Sequence, residues 1–168
     1  MSYTIINGWV EQARKVPSPN FSARPDDCSV DLLVIHNISL PPGQYDGQCI
    51  EQFFCNTLDW NAHPFFSEIR GLEVSAHLLV RRDGELLQFV SLSDRAWHAG
   101  SSCFDGRSEC NDYSIGIELE GTDDDGYTQV QYDVLAQLTS TLLEEYCAMD
   151  AARIVGHSDI SPGRKTDP

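Results

Sequence analysis

Apolar and polar positions recur along this chain on two different periods, and the change of period falls near Thr128. Over residues 113–120 the period is two, with Ile115, Ile117 and Leu119 on one face and Gly116, Glu118 and Glu120 on the other, which predicts a strand. From Thr128 onward, Val130, Val134, Leu135, Leu138, Leu142 and Tyr146 recur at helical spacing, predicting an amphipathic helix with Thr128 at its N-cap. Leu32-Leu33-Val34-Ile35-His36 reads as a buried strand with a histidine at its end, stopped by Pro41-Pro42-Gly43. Segments 74–81 and 85–90 flank Arg82-Asp83-Gly84, and an Asp-Gly between apolar runs is a hairpin signal. Residues 50–56 read as a short helix. The first 30 residues, punctuated by Pro17, Pro19 and Pro25, read as irregular, and a long polar loop starts at residues 96–100. Together these elements predict an α/β fold: a single domain over 1–168, with a central mixed β-sheet flanked by α-helices.

Composition narrows the partners. The net charge is −15, so nucleic acid and anionic membrane surfaces would be repelled, and an anionic ligand could bind only where the few cations gather. No apolar run approaches the roughly 18 residues that span a bilayer. Residues 1–7 lack the basic start of a secretory signal. Six cysteines without a C-x-x-C pair then read as reduced thiols of a cytoplasmic protein, expected to be a monomer.

The candidate chemistry gathers in the stretch Gly156-His157-Ser158-Asp159-Ile160-Ser161-Pro162-Gly163-Arg164-Lys165-Thr166-Asp167. Its Pro-Gly turn can fold His157 and Asp167 toward one point, as a salt-bridged surface loop or as two thirds of a metal site. His36 is a hydrogen-bonded histidine at the core's edge or the missing ligand. Two imidazoles and one carboxylate are ligand types that zinc prefers, leaving a fourth position open for water at the strand ends. Glu118 could take a proton from such a water, against the alternative of a solvated strand carboxylate. Lys165 could reach a developing oxyanion, or it is a solvent cation.

The chain resembles the AmpD-type N-acetylmuramoyl-L-alanine amidases, zinc hydrolases of the amidase and peptidoglycan-recognition-protein family. The resemblance runs nearly end to end. It rests on Val16-Pro17-Ser18-Pro19-Asn20-Phe21, Leu33-Val34-Ile35-His36-Asn37-Ile38-Ser39-Leu40-Pro41-Pro42-Gly43 and Val74-Ser75-Ala76-His77. It continues through Arg95-Ala96-Trp97-His98-Ala99-Gly100, Cys110-Asn111-Asp112, Ile115-Gly116-Ile117-Glu118-Leu119-Glu120-Gly121-Thr122 and Arg164-Lys165-Thr166-Asp167-Pro168. It implies zinc (Zn2+) on His36, His157 and Asp167, with Glu118 and Lys165 catalytic. The implied reaction is hydrolysis of the amide between the lactyl group of 1,6-anhydro-N-acetylmuramic acid and L-alanine of the stem peptide. The implied setting is cytoplasmic peptidoglycan recycling, which in some bacteria lowers the inducing signal for β-lactamase. Asn37, Ala96 and Trp97 would neighbour the anhydromuropeptide. His77, His63 and His98 read as structural.

Two departures qualify the resemblance. Some members carry arginines where this chain has Glu73 and Glu109, which leaves Arg107 as the nearest cation for an anionic stem peptide. Relatives also continue past the position of Pro168, so the tail reads as truncated or naturally short. Other readings are a periplasmic or lytic amidase on intact murein, and a non-catalytic peptidoglycan-binding module; the module is disfavoured because every ligand and the catalytic acid are present.

Overall fold

The computed structural model describes residues 3–168. Six strands form the central sheet: β1 (Arg14–Lys15), β2 (Leu32–Ile38), β3 (Leu78–Val80), β4 (Leu86–Gln88), β5 (Ser114–Glu120) and β6 (Ile154–Gly156), in the order β6-β2-β5-β3-β4-β1. β2 and β5 run parallel over seven residue pairs, β6 lies parallel to β2 and β3 parallel to β5. β3 and β4 form the antiparallel hairpin expected around Gly84, whose φ of 88° suits a residue without Cβ. The sheet is therefore mixed, as expected. The hairpin strands are shorter than the sequence pattern suggested, and beyond them the pairing continues only through single bonds such as Phe89 N–H to His77 O at 2.9 Å.

Both sheet faces are covered. Helix α2 (Gln129–Glu145) lays Leu138 and Leu142 on Leu33, Leu78, Val80, Ile115, Ile117 and Leu119. Thr128 caps it: its Oγ1 accepts from Gln131 N–H at 3.2 Å, and Gln131 Oε1 accepts from Thr128 N–H at 3.0 Å. The opposite face carries helix α1 (Cys49–Phe54), whose Ile50, Phe53 and Phe54 pack with Phe66, Leu79, Leu87 and Phe89.

The structure removes one alternative and revises two expectations. All seven residues of β5 are buried, so Glu118 is not a solvated strand carboxylate. The first 30 residues are not wholly irregular, since Arg14–Lys15 edges the main sheet and Phe21–Ser22 pairs with Arg95–Ala96. β6 carries only three residues and no period, which is why no pattern announced it.

Candidate active site

Parallel register sets the site. Glu118 on β5 stands directly opposite His36 on β2, and Gly156 on β6 stands opposite Ile35, so the next residue, His157, arrives at the same level. Three candidate side chains thus emerge at the carboxyl ends of three adjacent parallel strands, where open α/β sheets place their ligands. The tail supplies the fourth. His157 N–H donates to Pro168 O at 2.7 Å and Ser158 N–H to Asp167 O at 2.9 Å, which draws Asp167 back over α3 (His157–Ile160). Gly156 permits this approach: a Cβ there would lie 2.1 Å from the carbonyl carbon of Pro168.

Among the described residues, His36, His157 and Asp167 form the one group whose donor atoms could share a metal ion. His36 Nδ1 lies 2.9 Å from His157 Nδ1 and 3.3 Å from Asp167 Oδ2, and His157 Nδ1 lies 3.0 Å from Asp167 Oδ2. A tetrahedral ion with bonds of about 2.1 Å needs ligand atoms roughly 3.4 Å apart, close to this spacing. His157 Nε2 sits 3.1 Å from Ala99 O, an atom that only accepts, so the proton is on Nε2 and the Nδ1 lone pair faces the cluster. Three lone-pair atoms facing one another repel unless a cation or proton lies between them. The residues therefore fit zinc.

Electrostatics separates the two carboxyls. Burial pushes Glu118 up to about 8, the Asp167 charge adds to this, and Lys165 opposes it. Glu118 Oε2 is buried and has no hydrogen-bond partner. Burial would raise Asp167 as well, but the His157 and His36 rings set against its carboxylate outweigh that and hold the group well below the usual range. Burial lowers His36 to about 4, against the pull of Asp167, so its imidazole is neutral at pH 7.

These groups share a cavity of about 770 Å³, lined by His36, Asn37, Trp97, Glu118, His157, Lys165 and Asp167 at the polar end. Phe53, Phe65, Ile69, Leu72 and Val74 form its apolar wall. Asn37 Nδ2 donates to Asp123 Oδ1 at 2.8 Å, and Lys165 is exposed at the rim. Two expected substrate neighbours do not join them. Ala96 is fully buried in the core beneath, facing apolar side chains. Arg107 lies elsewhere: its guanidinium pairs with Asp31 at 3.3 Å and stacks 3.7 Å from the centre of the Tyr113 ring. Glu109 pairs with Arg95 at 3.5 Å, and Glu73 sits between the wall residues Leu72 and Val74.

His63 and His77 are structural, as expected: His63 Nδ1 accepts from Phe65 N–H, and His77 Nδ1 accepts from Gly116 N–H at 3.0 Å. His98 is not simply a loop organiser. Its Nδ1 lies 2.9 Å from His36 Nε2. Arg164, another residue the pattern did not single out, ties the tail to the loop by donating to Ala99 O and Ser101 O at 2.7 and 2.9 Å. A trace of the first contact was legible: Ser114 and Gly116 are small residues on the strand face that carries Glu118.

Comparison with known proteins identifies the family. The Amidase_2 family profile, described as N-acetylmuramoyl-L-alanine amidase, matches residues 26–168. The chain is 56% identical over 162 residues to the 1,6-anhydro-N-acetylmuramyl-L-alanine amidase AmpD of Escherichia coli K12, covering 96% of this chain and 87% of that protein. The crystal structure of a selenomethionine AmpD derivative superposes with a TM-score of 0.95 at 54% identity, covering 98% of this chain and 92% of that one. AmpDh3 of Pseudomonas aeruginosa, solved in complex with anhydromuramic pentapeptide, matches at 30% identity with a TM-score of 0.58, over 83% of this chain and 55% of that one. With the family profile covering most of its length, the chain belongs to the N-acetylmuramoyl-L-alanine amidase family.

Proposed function

We propose that the protein is a zinc-dependent amidase that hydrolyses the bond between the lactyl group of 1,6-anhydro-N-acetylmuramic acid and L-alanine of the stem peptide. The observation that carries this reading is the meeting, at one end of one cavity, of three converging ligand atoms with a buried carboxyl oxygen that has no partner. The relatives named for 1,6-anhydro substrates, and the AmpDh3 complex with anhydromuramic pentapeptide, support the substrate class.

His36, His157 and Asp167 would hold the ion, giving it two neutral ligands and one anionic one. Zinc held there supplies Lewis acidity and brings the pKa of a water down to about 7. Glu118 accepts the proton from the attacking water at its free Oε2 and returns it to the departing alanine amine. Lys165 stabilises charge on the former carbonyl oxygen. Trp97 packs on the sugar, Asn37 donates to the ligand, and the wall of Phe53, Phe65 and Leu72 excludes water from the peptide side. Six free cysteines support a reducing, cytoplasmic setting in cell-wall recycling, with the protein acting as a monomer. In bacteria where anhydromuropeptides induce β-lactamase, this activity lowers that signal.

The test incubates zinc-loaded protein with anhydromuropeptide and, separately, with intact sacculi, following free stem peptide by mass spectrometry. Release from the anhydromuropeptide is expected. Release from sacculi alone would replace recycling with a lytic role, and release from neither would leave a binding module.

A further inference from the structure

His36 is held from behind by a chain of polar contacts that the amidase chemistry does not itself require. His36 Nε2 lies 2.9 Å from His98 Nδ1, His98 Nε2 lies 3.1 Å from Ser114 Oγ, and Ser114 Oγ donates to Cys110 O at 2.6 Å. All three side chains are buried. The direction of every proton follows from the far end. A backbone carbonyl only accepts, so at 2.6 Å the single hydroxyl proton of Ser114 must point at Cys110 O. Ser114 Oγ can then only accept from His98, which places the His98 proton on Nε2. A neutral His98 is left with a lone pair on Nδ1, so His36 must donate from its own Nε2. The lone pair of His36 Nδ1 then faces His157 and Asp167.

The backbone is built around this chain. His98 N–H and Ala99 N–H both donate to Asn111 Oδ1, at 3.0 and 2.8 Å. The His98 ring lies against Gly116, where a Cβ would come within 2.5 Å of it. One short segment therefore serves both imidazoles of the cluster: His98 fixes His36, and Ala99 O fixes His157.

The geometry points to His98, with Ser114 behind it, as the positioning pair that presets the Nδ1-ligating tautomer of His36 before any metal arrives. This rests on the reading of His36 as a zinc ligand, but not on which bond is hydrolysed. Both act through His36 rather than on the reacting atoms, although His98 also lines the cavity.

The test uses the full chain and two readouts that need no turnover. Long-range proton–nitrogen correlation spectra of the metal-free protein should show the His36 proton on Nε2. Competition with a chromophoric chelator then gives zinc affinity. His98→Leu fills the space without an acceptor and should leave a mixture of His36 tautomers, with zinc bound roughly 10–100-fold more weakly. His98→Asn sets an amide oxygen near the Nδ1 position and should recover most of that loss. Ser114→Ala should fall between parent and His98→Leu, and it decides the matter if the leucine variant does not fold. A His36 proton on Nδ1 in the parent, or parental zinc affinity in both folded variants, would overturn the proposal. Failure of the hydrolysis assay alone would count against the amidase reading and leave the relay standing.

Discussion

A carboxyl buried beside a second carboxylate resists ionisation, and Glu118 is in that position with Asp167 as the neighbour. In the metal-free protein it stays protonated up to about 8, whereas the unfolded chain ionises it near 4.5. Between those values the unfolded state binds fewer protons, so Glu118 makes stability fall as pH rises through that window. Glu118→Gln removes this penalty. The variant should therefore unfold at a higher temperature than the metal-free parent at pH 8, by an amount that shrinks to nothing near pH 4. The difference in Tm across a pH series measures it, and a constant difference would mean that the carboxyl titrates normally. His36 acts in the opposite sense: its folded pKa of about 4 lies below the ordinary 6.5, so stability is lost as pH falls through that interval in parent and variant alike. A bound dication would draw Glu118 down toward the range of a working base. Zinc-loaded Glu118→Gln should accordingly keep its metal stoichiometry while turnover drops roughly 10²–10⁴-fold.

Two elements carry predictions of their own. In α3 and the tail that docks on it, the close approach depends on Gly156 lacking a Cβ. Gly156→Ala should push the tail away and take Asp167 with it, weakening zinc at least about 10-fold in chelator competition while far-UV circular dichroism is unchanged. Parental affinity would show that the tail can dock another way. In α2, the reciprocal bonds of Thr128 and Gln131 close the first turn. Thr128→Ala should lower stability by about 1 kcal/mol, read from the urea midpoint. These elements also show what sequence can reveal. α2 and β5 were legible because their apolar residues keep one period over many positions. β6 was not, since three residues cannot display a period. The meeting of His157 with Asp167 was legible because the two flank a Pro-Gly turn, but the contact between His36 and His98, 62 positions apart, exists only through tertiary packing. Arg107 misled for the same reason: its nearness in sequence to Glu109 says nothing of its stacking on Tyr113 and its pairing with Asp31.

At the scale of the whole molecule, the cluster joins the two ends of the architecture. His36 belongs to the central sheet, His157 opens α3 after its edge strand, and Asp167 lies in the tail that docks on α3. Two backbone hydrogen bonds and Arg164 hold the tail from the protein side. A cation shared by all three ligands would add a cross-link that exists only in the folded state, so it must stabilise that state by mass action. At a free zinc concentration 100 times Kd the gain is about 2.7 kcal/mol. For a domain of 168 residues this corresponds to a rise in Tm of roughly 5–10 °C over chelator-treated protein. The rise should fade as pH falls toward the His36 value of about 4, where protons compete for that imidazole. Asp167→Ala should lose most of it, because the remaining two histidines no longer tie the tail. Amide hydrogen exchange separates the contributions: if zinc is the main tie, chelation should speed exchange at the His157 and Ser158 N–H groups that hold the tail, whereas equal protection with and without metal would assign its order to Arg164 and those backbone bonds.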